Sequence, residues 1–302
     1  MKKNTLVISK KKLSKQLVPW LFLLPSIIIL IIFLVIPIIE AFRWSLLDYK
    51  LIADTSEFVG LDNFKEIFSD SMFWKAFFNT IIYVIIVLPM NIFLPMILAS
   101  LVNQKIRAVG WFRVLYYVPV VTPIVVGALM WKMLYSQNSI LSEFLVWIGL
   151  IESPMNFLTN SSTAIVAVAF ITAWRGLGYY MVMYLANLQS IPSQLYESAS
   201  IDGANTIQKF TKITIPMLAP TITLVSILTI VNGLKVFEEI ALTTNGGPAG
   251  ATTTLVMYIF EKFMNLDVSI ASAAGIVLLA MAIIGSLIQM KVNSEREDDL
   301  RG

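Results

Sequence analysis

The sequence predicts an all-α integral membrane protein with six transmembrane helices, and three observations carry this prediction. Hydrophobic residues make up 57% of the chain and charged residues only 14%, whereas about a quarter of a soluble domain is charged. Apolar runs of about 20 residues, the length that crosses a bilayer as a helix, recur along the chain. Lysine and arginine are concentrated in alternate segments between those runs, as the positive-inside rule requires.

The first apolar run follows a strongly basic start. Residues 1–18 contain six lysines, which predicts a cytoplasmic N-terminal segment that anchors the chain rather than one that binds nucleic acid. The apolar run that follows, residues 19–42 (span one), has the basic approach of a signal peptide. It is too long for a signal peptide and lacks a small-residue cleavage site, so we predict a transmembrane helix.

Five further spans are predicted downstream, and prolines lie inside several of them. Span two, residues 77–102, contains Pro89 and Pro95, and span three, residues 114–134, has Pro119 and Pro123 near its start. These prolines indicate bent helices that line a cavity, although proline is also commoner in membrane helices than in soluble ones. The other predicted elements are residues 164–188 (span four), 217–240 (span five), 269–290 (span six), 140–151 (an amphipathic surface helix) and 252–267 (a short helix before span six).

The distribution of positive charge predicts the orientation. Fourteen of the 22 Lys and Arg residues lie in the N-terminal segment, the 102–113 loop, the 189–216 loop or the tail 291–302, whereas five lie in the other loops. This bias predicts that both termini and the 189–216 loop are cytoplasmic. Residues 19–290 are then one six-span domain of a multi-pass protein in the cell (inner or plasma) membrane.

The residue types exclude several chemistries. The chain has no cysteine and no histidine, which excludes disulfides, metal sites made of these ligands and a His-dependent catalytic triad. The sequence has no Gly-x-x-x-x-Gly-Lys-Ser/Thr motif, so this chain cannot bind nucleotide phosphates by a P-loop. If the protein moves a solute uphill, the energy must come from a partner or from an ion gradient.

Charged residues occur within the predicted spans. Arg175 lies in span four and Lys235 in span five. A charge at the bilayer centre costs on the order of 2.5–3.5 kcal/mol, so such residues usually face an interior or water. They indicate a water-filled pathway, with snorkelling toward the outer interface as the alternative; we favour snorkelling for Lys132, at the end of span three. An Arg175–Glu238 ion pair is a further hypothesis.

Side chains that suit a sugar lie close to these charges. Trp174, Tyr179 and Tyr180 offer aromatic faces on which sugar rings stack, and Asn232 offers an amide for hydroxyl groups. The alternative is an aromatic belt at the membrane interface, which explains most Trp and Tyr residues in membrane proteins. The residue types alone leave both interpretations open.

Residues 197–220 form a long polar-amphipathic segment in a very apolar half of the chain. A turn signal, Asp202-Gly203, separates two sets of apolar residues at helical spacing. The segment therefore predicts two short helical pieces joined by a bend, and Pro216 and Pro220 end the second piece. The alternative is a helix that lies on the lipid interface. The residues that share a face in the second piece are Ile207, Phe210 and Ile213.

This segment closely resembles the EAA loop of the permeases of binding-protein-dependent ABC importers. Ser198 stands where that family usually has its first Ala, a small-for-small change. Residues 60–64, 172–192 and 242–248 resemble the sugar-importing members in particular, and the resemblance covers roughly residues 19–290. The positions that match the EAA loop are Glu197, Ala199, Asp202, Gly203, Ala204, Phe210, Ile213, Pro216 and Pro220.

The resemblance implies a type I ABC importer permease fold with a cytoplasmic coupling helix. It implies a second, usually different permease, two ATPase subunits that hold ATP and magnesium, and an extracytoplasmic solute-binding protein. The chain itself is then a transport subunit without a cofactor, a metal or enzymatic activity. The residues implied in ATPase coupling are Glu197, Ala199, Asp202, Gly203, Ala204, Phe210 and Pro216.

The implied function is to form half of a translocation pathway for a sugar or oligosaccharide. Gly176 and Tyr179 keep the residue types that contact sugar in the family. Other sugar-contacting positions of the family fall near Asn232 and Gly233, where the residue types of this chain differ. The alternatives are a permease for a non-sugar solute such as glycerol phosphate, an ion-coupled secondary transporter that uses Glu238, and a membrane scaffold without a pathway. The predicted pathway residues are Trp174, Gly176, Tyr179, Asn232, Gly233 and Lys235.

Overall fold

Residues 10–52, 55–103 and 109–299 are described by the structure, which is a computed structural model. The predictions for residues 1–9, for Lys105 and Arg107 and for residues 300–302 lie outside the described residues. Four stretches of helix are long and apolar enough to cross a membrane, and two bent helix pairs bring the candidate spans to six. This is the predicted number.

Span one and the segment after it form the first part of the fold. The helix of span one continues through a π-helical turn to Ser45, and a short antiparallel hairpin then pairs Leu47 with Phe58. The prediction did not include this hairpin. Asn63 fixes it, because its Nδ2 donates to the carbonyls of Ser45 and Leu47. The elements are α1 (Lys10–Leu30), α2 (Ile36–Ser45), β1 (Leu47–Lys50), β2 (Thr55–Phe58) and α3 (Asp62–Ser69).

Spans two and three differ in whether their prolines interrupt the helix. Span two is one helix, α4 (Ser71–Val102), which contains Pro89 and Pro95. Span three consists of α5 (Val109–Val121) and α6 (Ile124–Leu134), which meet at an angle of 99°. Proline disfavours the helical conformation in the residue before it, so Pro123 accounts for the break.

The second half of the chain contains spans four to six. The predicted surface helix, the bend near residue 203 and the short helix before span six are all present, with slightly different bounds. The helix of span six continues beyond the predicted end of the span at residue 290, whereas the candidate span, Val268–Lys291, agrees with the prediction. The elements are α7 (Ile140–Trp147), α8 (Ala164–Leu188), α9 (Ser193–Ile201), α10 (Thr206–Lys209), a π-helical turn (Phe210–Thr214), α11 (Ile215–Met217), α12 (Ala219–Leu234), α13 (Glu238–Thr243), α14 (Leu255–Met264) and α15 (Val268–Asp299).

Span five is interrupted, contrary to the prediction of a continuous helix over residues 217–240. The helix α12 ends at Leu234, and α13 starts at Glu238. Irregular backbone at membrane depth is tolerated only where it is buried in protein or lines a cavity. Thr254 satisfies part of the break, because its Oγ1 donates to the carbonyl of Val236 at 3.1 Å.

The helix α8 is the centre of the bundle. It packs along α4 and α5, and half of its apolar window is buried, the largest share among the four unbroken spans. Gly178 permits the contact with α5, since a Cβ there would lie 2.1 Å from the carbonyl oxygen of Tyr116. Small residues at such positions let helix backbones approach closely in membranes.

Candidate functional site

A cavity of about 470 Å³ lies between α4, α8 and the break after α12; we call it the central cavity. Gly176, in its wall, is twelve residues from either end of α8, which corresponds to about 18 Å at 1.5 Å per residue. The cavity therefore lies near mid-depth of this span. Its polar lining residues are Asn91, Thr172, Arg175, Tyr179, Tyr180, Thr229, Asn232, Lys235, Glu238 and Glu239.

Most of the predicted pathway residues come together here. Gly176 and Tyr179 line the cavity from α8, and Asn232, Gly233 and Lys235 line it from the end of α12 and the break. Trp174 is outside this lining. Its ring packs edge-on against Trp131 at 5.8 Å between centroids. Two residues correspond to about 200° around a helix, so Trp174 and Gly176 point to nearly opposite sides of α8.

An ion pair crosses the cavity between α8 and α13. Arg175 Nη1 lies 3.1 Å from Glu239 Oε1, and Glu239 is only 8% exposed. The predicted Arg175–Glu238 pair is wrong, because Glu238 is exposed and Glu239 is the buried partner. Because the helix breaks after Leu234, the side chains of α13 point in other directions than they would in a continuous helix. With Lys235 and Glu238, the lining holds two basic and two acidic residues.

Polar atoms without a partner mark the inner wall of the cavity. Within the described part of the chain, Asn91 Oδ1, Thr229 Oγ1 and Arg175 Nε are buried and make no hydrogen bond. Buried polar atoms are nearly always hydrogen-bonded, so each such atom calls for water or a ligand. Neither Asn91 nor Thr229 was among the predicted pathway residues. An Asn in the middle of an apolar span was the available signal, because polar residues within membranes are rare.

A second region contains the predicted bend, between α9 and α10. Gly203 has φ of +79°, in the left-handed region that glycine adopts most readily. The N–H of Ala204 donates to the carbonyl of Ala199 at 2.9 Å, which closes the end of α9. Asn205 and Gln208 then form a capping box at the start of α10.

Side-chain contacts tie the two helical pieces together. The hydroxyls of Tyr196 and Thr214 lie 2.9 Å apart, and Lys209 Nζ donates to Ser200 Oγ at 2.7 Å. Phe210 packs against the core cluster that includes Tyr184 of α8. We call residues 193–217 the elbow segment. The two hydrogen bonds hold its helical pieces together, and the packing of Phe210 fixes it to the bundle.

The elbow segment presents an exposed surface beside the bend. Ile201 is 87% exposed and Ile207 is 74% exposed, on either side of Gly203. Ile207 therefore does not pack inward with Phe210, although their spacing allowed a shared face. Glu197 is exposed, and Pro216 is half-buried at the start of α11. A groove of about 320 Å³ next to the bend is lined by Ala199, Asp202, Gly203, Ala204, Gln208, Lys209, Lys212 and Ile213.

Comparison with known proteins identifies the family. Residues 91–295 match the family described as binding-protein-dependent transport system inner membrane component. The chain belongs to this family. The predicted resemblance to ABC importer permeases is thereby confirmed, and the family description places the chain in a multi-pass inner-membrane transport system that depends on a binding protein.

Individual relatives cover nearly the whole chain. The probable ABC transporter permease protein YurN of Bacillus subtilis is 32% identical over 92% of this chain and 96% of its own length. The lactose transport system permease protein LacF of Rhizobium radiobacter is 34% identical over 92% and 94%. The sn-glycerol-3-phosphate transport system permease protein UgpA of Escherichia coli is 32% identical over 94% and 96%.

Solved structures show the same fold. A bacterial ABC transporter involved in the import of the acidic polysaccharide alginate matches with a TM-score of 0.81 and 27% identity, over 94% of this chain and 98% of the matched chain. A bacterial alginate ABC transporter in complex with an alginate pentasaccharide-bound periplasmic protein matches with a TM-score of 0.77 and 28% identity, over 94% and 97%. The predicted type I importer permease fold is confirmed.

Proposed function

We propose that this permease forms half of the translocation pathway for an uncharged sugar or oligosaccharide, which an extracytoplasmic binding protein delivers. The central cavity carries the proposal. It lies at mid-depth, a broken helix lines it, and its lining includes polar side chains such as Thr172 and Asn232. Tyr179 adds an aromatic face, and sugars bind through this combination of polar atoms and aromatic rings.

The charges of the cavity favour a neutral solute over a phosphorylated one. The relatives include a permease for lactose and one for sn-glycerol 3-phosphate, so both substrate classes deserve a test. Arg175 is already paired with Glu239, and the charge of Lys235 is balanced by Glu238 in the same lining. An anionic solute would have to displace or outweigh these carboxylates, because like charges at close range repel.

The elbow segment is the proposed docking site for a partner ATPase subunit. Large exposed apolar side chains such as Ile201 and Ile207 mark interaction surfaces, and Glu197 lies exposed beside them for a basic group on the partner. Because the Tyr196–Thr214 hydrogen bond holds the elbow segment together and Phe210 packs against the bundle, movement of the docked ATPase would move α8 and α12 together.

A second permease would complete the pathway. Span one buries none of its apolar window against the described part of this chain, so its surface is available to lipid or to another subunit. The central cavity also has an open side. We propose a heterodimer of permeases with two ATPases, which hold ATP and magnesium, on the cytoplasmic side. The positive-inside bias assigns the termini and the elbow segment to that side.

The mechanism we propose is alternating access. Closure of the ATPase dimer around ATP would stabilise the outward-facing state, and hydrolysis would return the inward-facing state. This chain would contribute the cavity and the lever, not the hydrolytic chemistry. The lever is the elbow segment, which joins α8 and α12, two of the spans that line the cavity.

Reconstitution tests this proposal. The chain, its partner permease, its ATPases and its binding protein are placed in proteoliposomes, and uptake of labelled lactose, trehalose and sn-glycerol 3-phosphate is measured. We expect uptake of a neutral sugar that requires ATP and the binding protein and persists with ionophores. Uptake of sn-glycerol 3-phosphate alone would contradict the neutral substrate, and ionophore-sensitive uptake without ATP would contradict the importer mechanism.

A further inference from the structure

The loop between α13 and α14, residues 244–254, is held by buried hydroxyl groups; we call it the threonine loop. Its last three residues, Thr252, Thr253 and Thr254, are all buried. The hydroxyls of Thr252 and Thr253 donate to carbonyls of the loop itself, at 2.7 Å and 3.1 Å. A buried hydroxyl needs such a partner, and these two therefore stabilise the loop from within.

Thr254 differs, because its hydroxyl reaches outside the threonine loop. It donates to the carbonyl of Val236 at 3.1 Å, in the break between α12 and α13. Val236 is part of the lining of the central cavity, together with its neighbours Lys235 and Phe237. The threonine loop thus contacts the backbone of the cavity wall through the side chain of Thr254.

The helix α4 holds the chain on both sides of Thr254. Asn79 Nδ2 donates to the carbonyl of Thr253 at 2.9 Å. The second hydrogen of the same amide donates to another carbonyl of the threonine loop, also at 2.9 Å. Thr80 Oγ1 accepts from the N–H of Leu255 at 2.9 Å. Thr254 is therefore fixed by contacts one residue before it and one residue after it.

The break that Thr254 contacts determines where α13 points. Glu239 of α13 follows Val236 by three residues, and its Oε1 lies 3.1 Å from Nη1 of Arg175. This carboxylate is almost completely enclosed, and a buried charge that loses its partner is strongly destabilising. A small displacement of the break therefore changes the charges that face a solute in the central cavity.

We propose that Asn79 and Thr80 are positioning residues of the central cavity. They hold Thr254 against the carbonyl of Val236, and this contact keeps the break, and with it Glu239, in place. Both residues of α4 lie outside the cavity lining, so they act through Thr254 and not on the solute. The consequence for transport rests on the proposed function, in which the central cavity binds the solute.

Hydrogen–deuterium exchange tests the proposal in the assembled transporter. Exchange of backbone amides is measured by mass spectrometry in peptides from the threonine loop, the break at residues 235–237 and the start of α8. N79L and T80V remove the contacts from α4, and T254V removes the hydroxyl but keeps the branched shape. Each change should speed exchange at the break about three- to tenfold, as expected for the loss of a hydrogen bond, and leave the start of α8 unchanged.

Two control variants and one double variant make the test specific. T254S keeps the hydroxyl, and N103L makes the same change as N79L at an exposed residue at the opposite end of α4; both should exchange like the wild type. N79L/T254V should exchange no faster at the break than T254V, because both changes act on one contact. Faster exchange confined to the threonine loop would overturn the proposal, as would a double variant whose effect is the product of the two single effects.

Uptake separates this proposal from the proposed function. ATP-driven uptake of labelled lactose and trehalose is measured with the same complexes in proteoliposomes. N79L and T254V should lower uptake by similar factors, and T254S should retain the wild-type rate. Normal uptake by N79L and T254V despite faster exchange at the break would contradict the positioning role. Absence of uptake even in the wild type would contradict the proposed function, whereas the exchange results would still stand.

Discussion

Replacing Gly203 isolates the role of the bend in the elbow segment. Its φ of +79° is in the left-handed region, and a Cβ at this position would meet nothing within 4 Å. Its N–H donates to the carbonyl of Ser200 at 3.2 Å. A substitution here therefore acts through the backbone, without a steric clash.

Three substitutions of Gly203 impose increasing strain on the backbone of the bend. Asn tolerates the left-handed region, so G203N should transport close to the wild-type rate. Ala in that region costs about 1–2 kcal/mol, so G203A should be intermediate. Proline fixes φ near about −65° and loses the hydrogen bond to Ser200, worth about 1 kcal/mol. G203P therefore cannot keep the bend, and we expect it to abolish transport.

The assay separates coupling from folding. Uptake and ATP hydrolysis are measured in proteoliposomes that contain matched amounts of folded complex, confirmed by size-exclusion chromatography. We expect all three variants to insert in the membrane, and only G203P to lose ATP-driven uptake. Wild-type uptake by G203P would refute the coupling role, as would equal losses in G203N and G203P, because the effect would then not follow backbone geometry.

Three further predictions concern single contacts. R175M leaves the nearly buried Glu239 unpaired and should lower the stability by about 3 kcal/mol, whereas the R175M/E239L double variant should recover most of it in thermal unfolding. G178A places a Cβ against the Tyr116 carbonyl and should lower the folded yield, measured by size exclusion, far more than G110A, where the Cβ has open space. Burial raises the pKa of Asp70, but hydrogen bonds from Tyr258 and the Met72 N–H and the charge of Lys262 outweigh it and lower that pKa. Because the pKa of Asp70 is lower in the folded protein than in the unfolded chain, its carboxylate stabilises the fold above the usual carboxyl range. That stabilisation is lost as the pH falls below this range toward the lowered pKa. D70N keeps the helix cap and should therefore lose less stability than the wild type in acid unfolding curves.

The long spans could be predicted because their signal is local. Spans one, two, four and six each contain a stretch long and apolar enough to cross a membrane, and burial in lipid needs only such a stretch. The bend at Gly203 was also predictable, because Asp-Gly is a turn signal on its own. The hairpin at residues 47–58 was missed, although Leu47 and Tyr49 alternate with polar residues as a strand would require.

The details of the central cavity depend on tertiary contacts and could not be predicted. The break after Leu234 is stabilised by Thr254, twenty residues further along the chain. That break decides that Glu239, not Glu238, pairs with Arg175. Asn91 and Thr229 are both buried in the cavity wall, and the sequence marks Asn91 only as a polar residue inside an apolar span.

Accessibility of the central cavity from the two sides of the membrane tests the alternating-access mechanism. The chain has no cysteine, so Y179C, in the cavity lining, creates its only thiol. F170C is the matched control, because Phe170 and Tyr179 are almost equally exposed, at 46% and 47%, on opposite sides of α8. A membrane-impermeant thiol reagent is applied from either side, in the resting complex and after trapping with ATP and vanadate. We predict that Y179C reacts from the elbow side at rest and from the opposite side when trapped, while F170C reacts in neither state. Reaction of Y179C from one side in both states, or equally with F170C, would contradict the account.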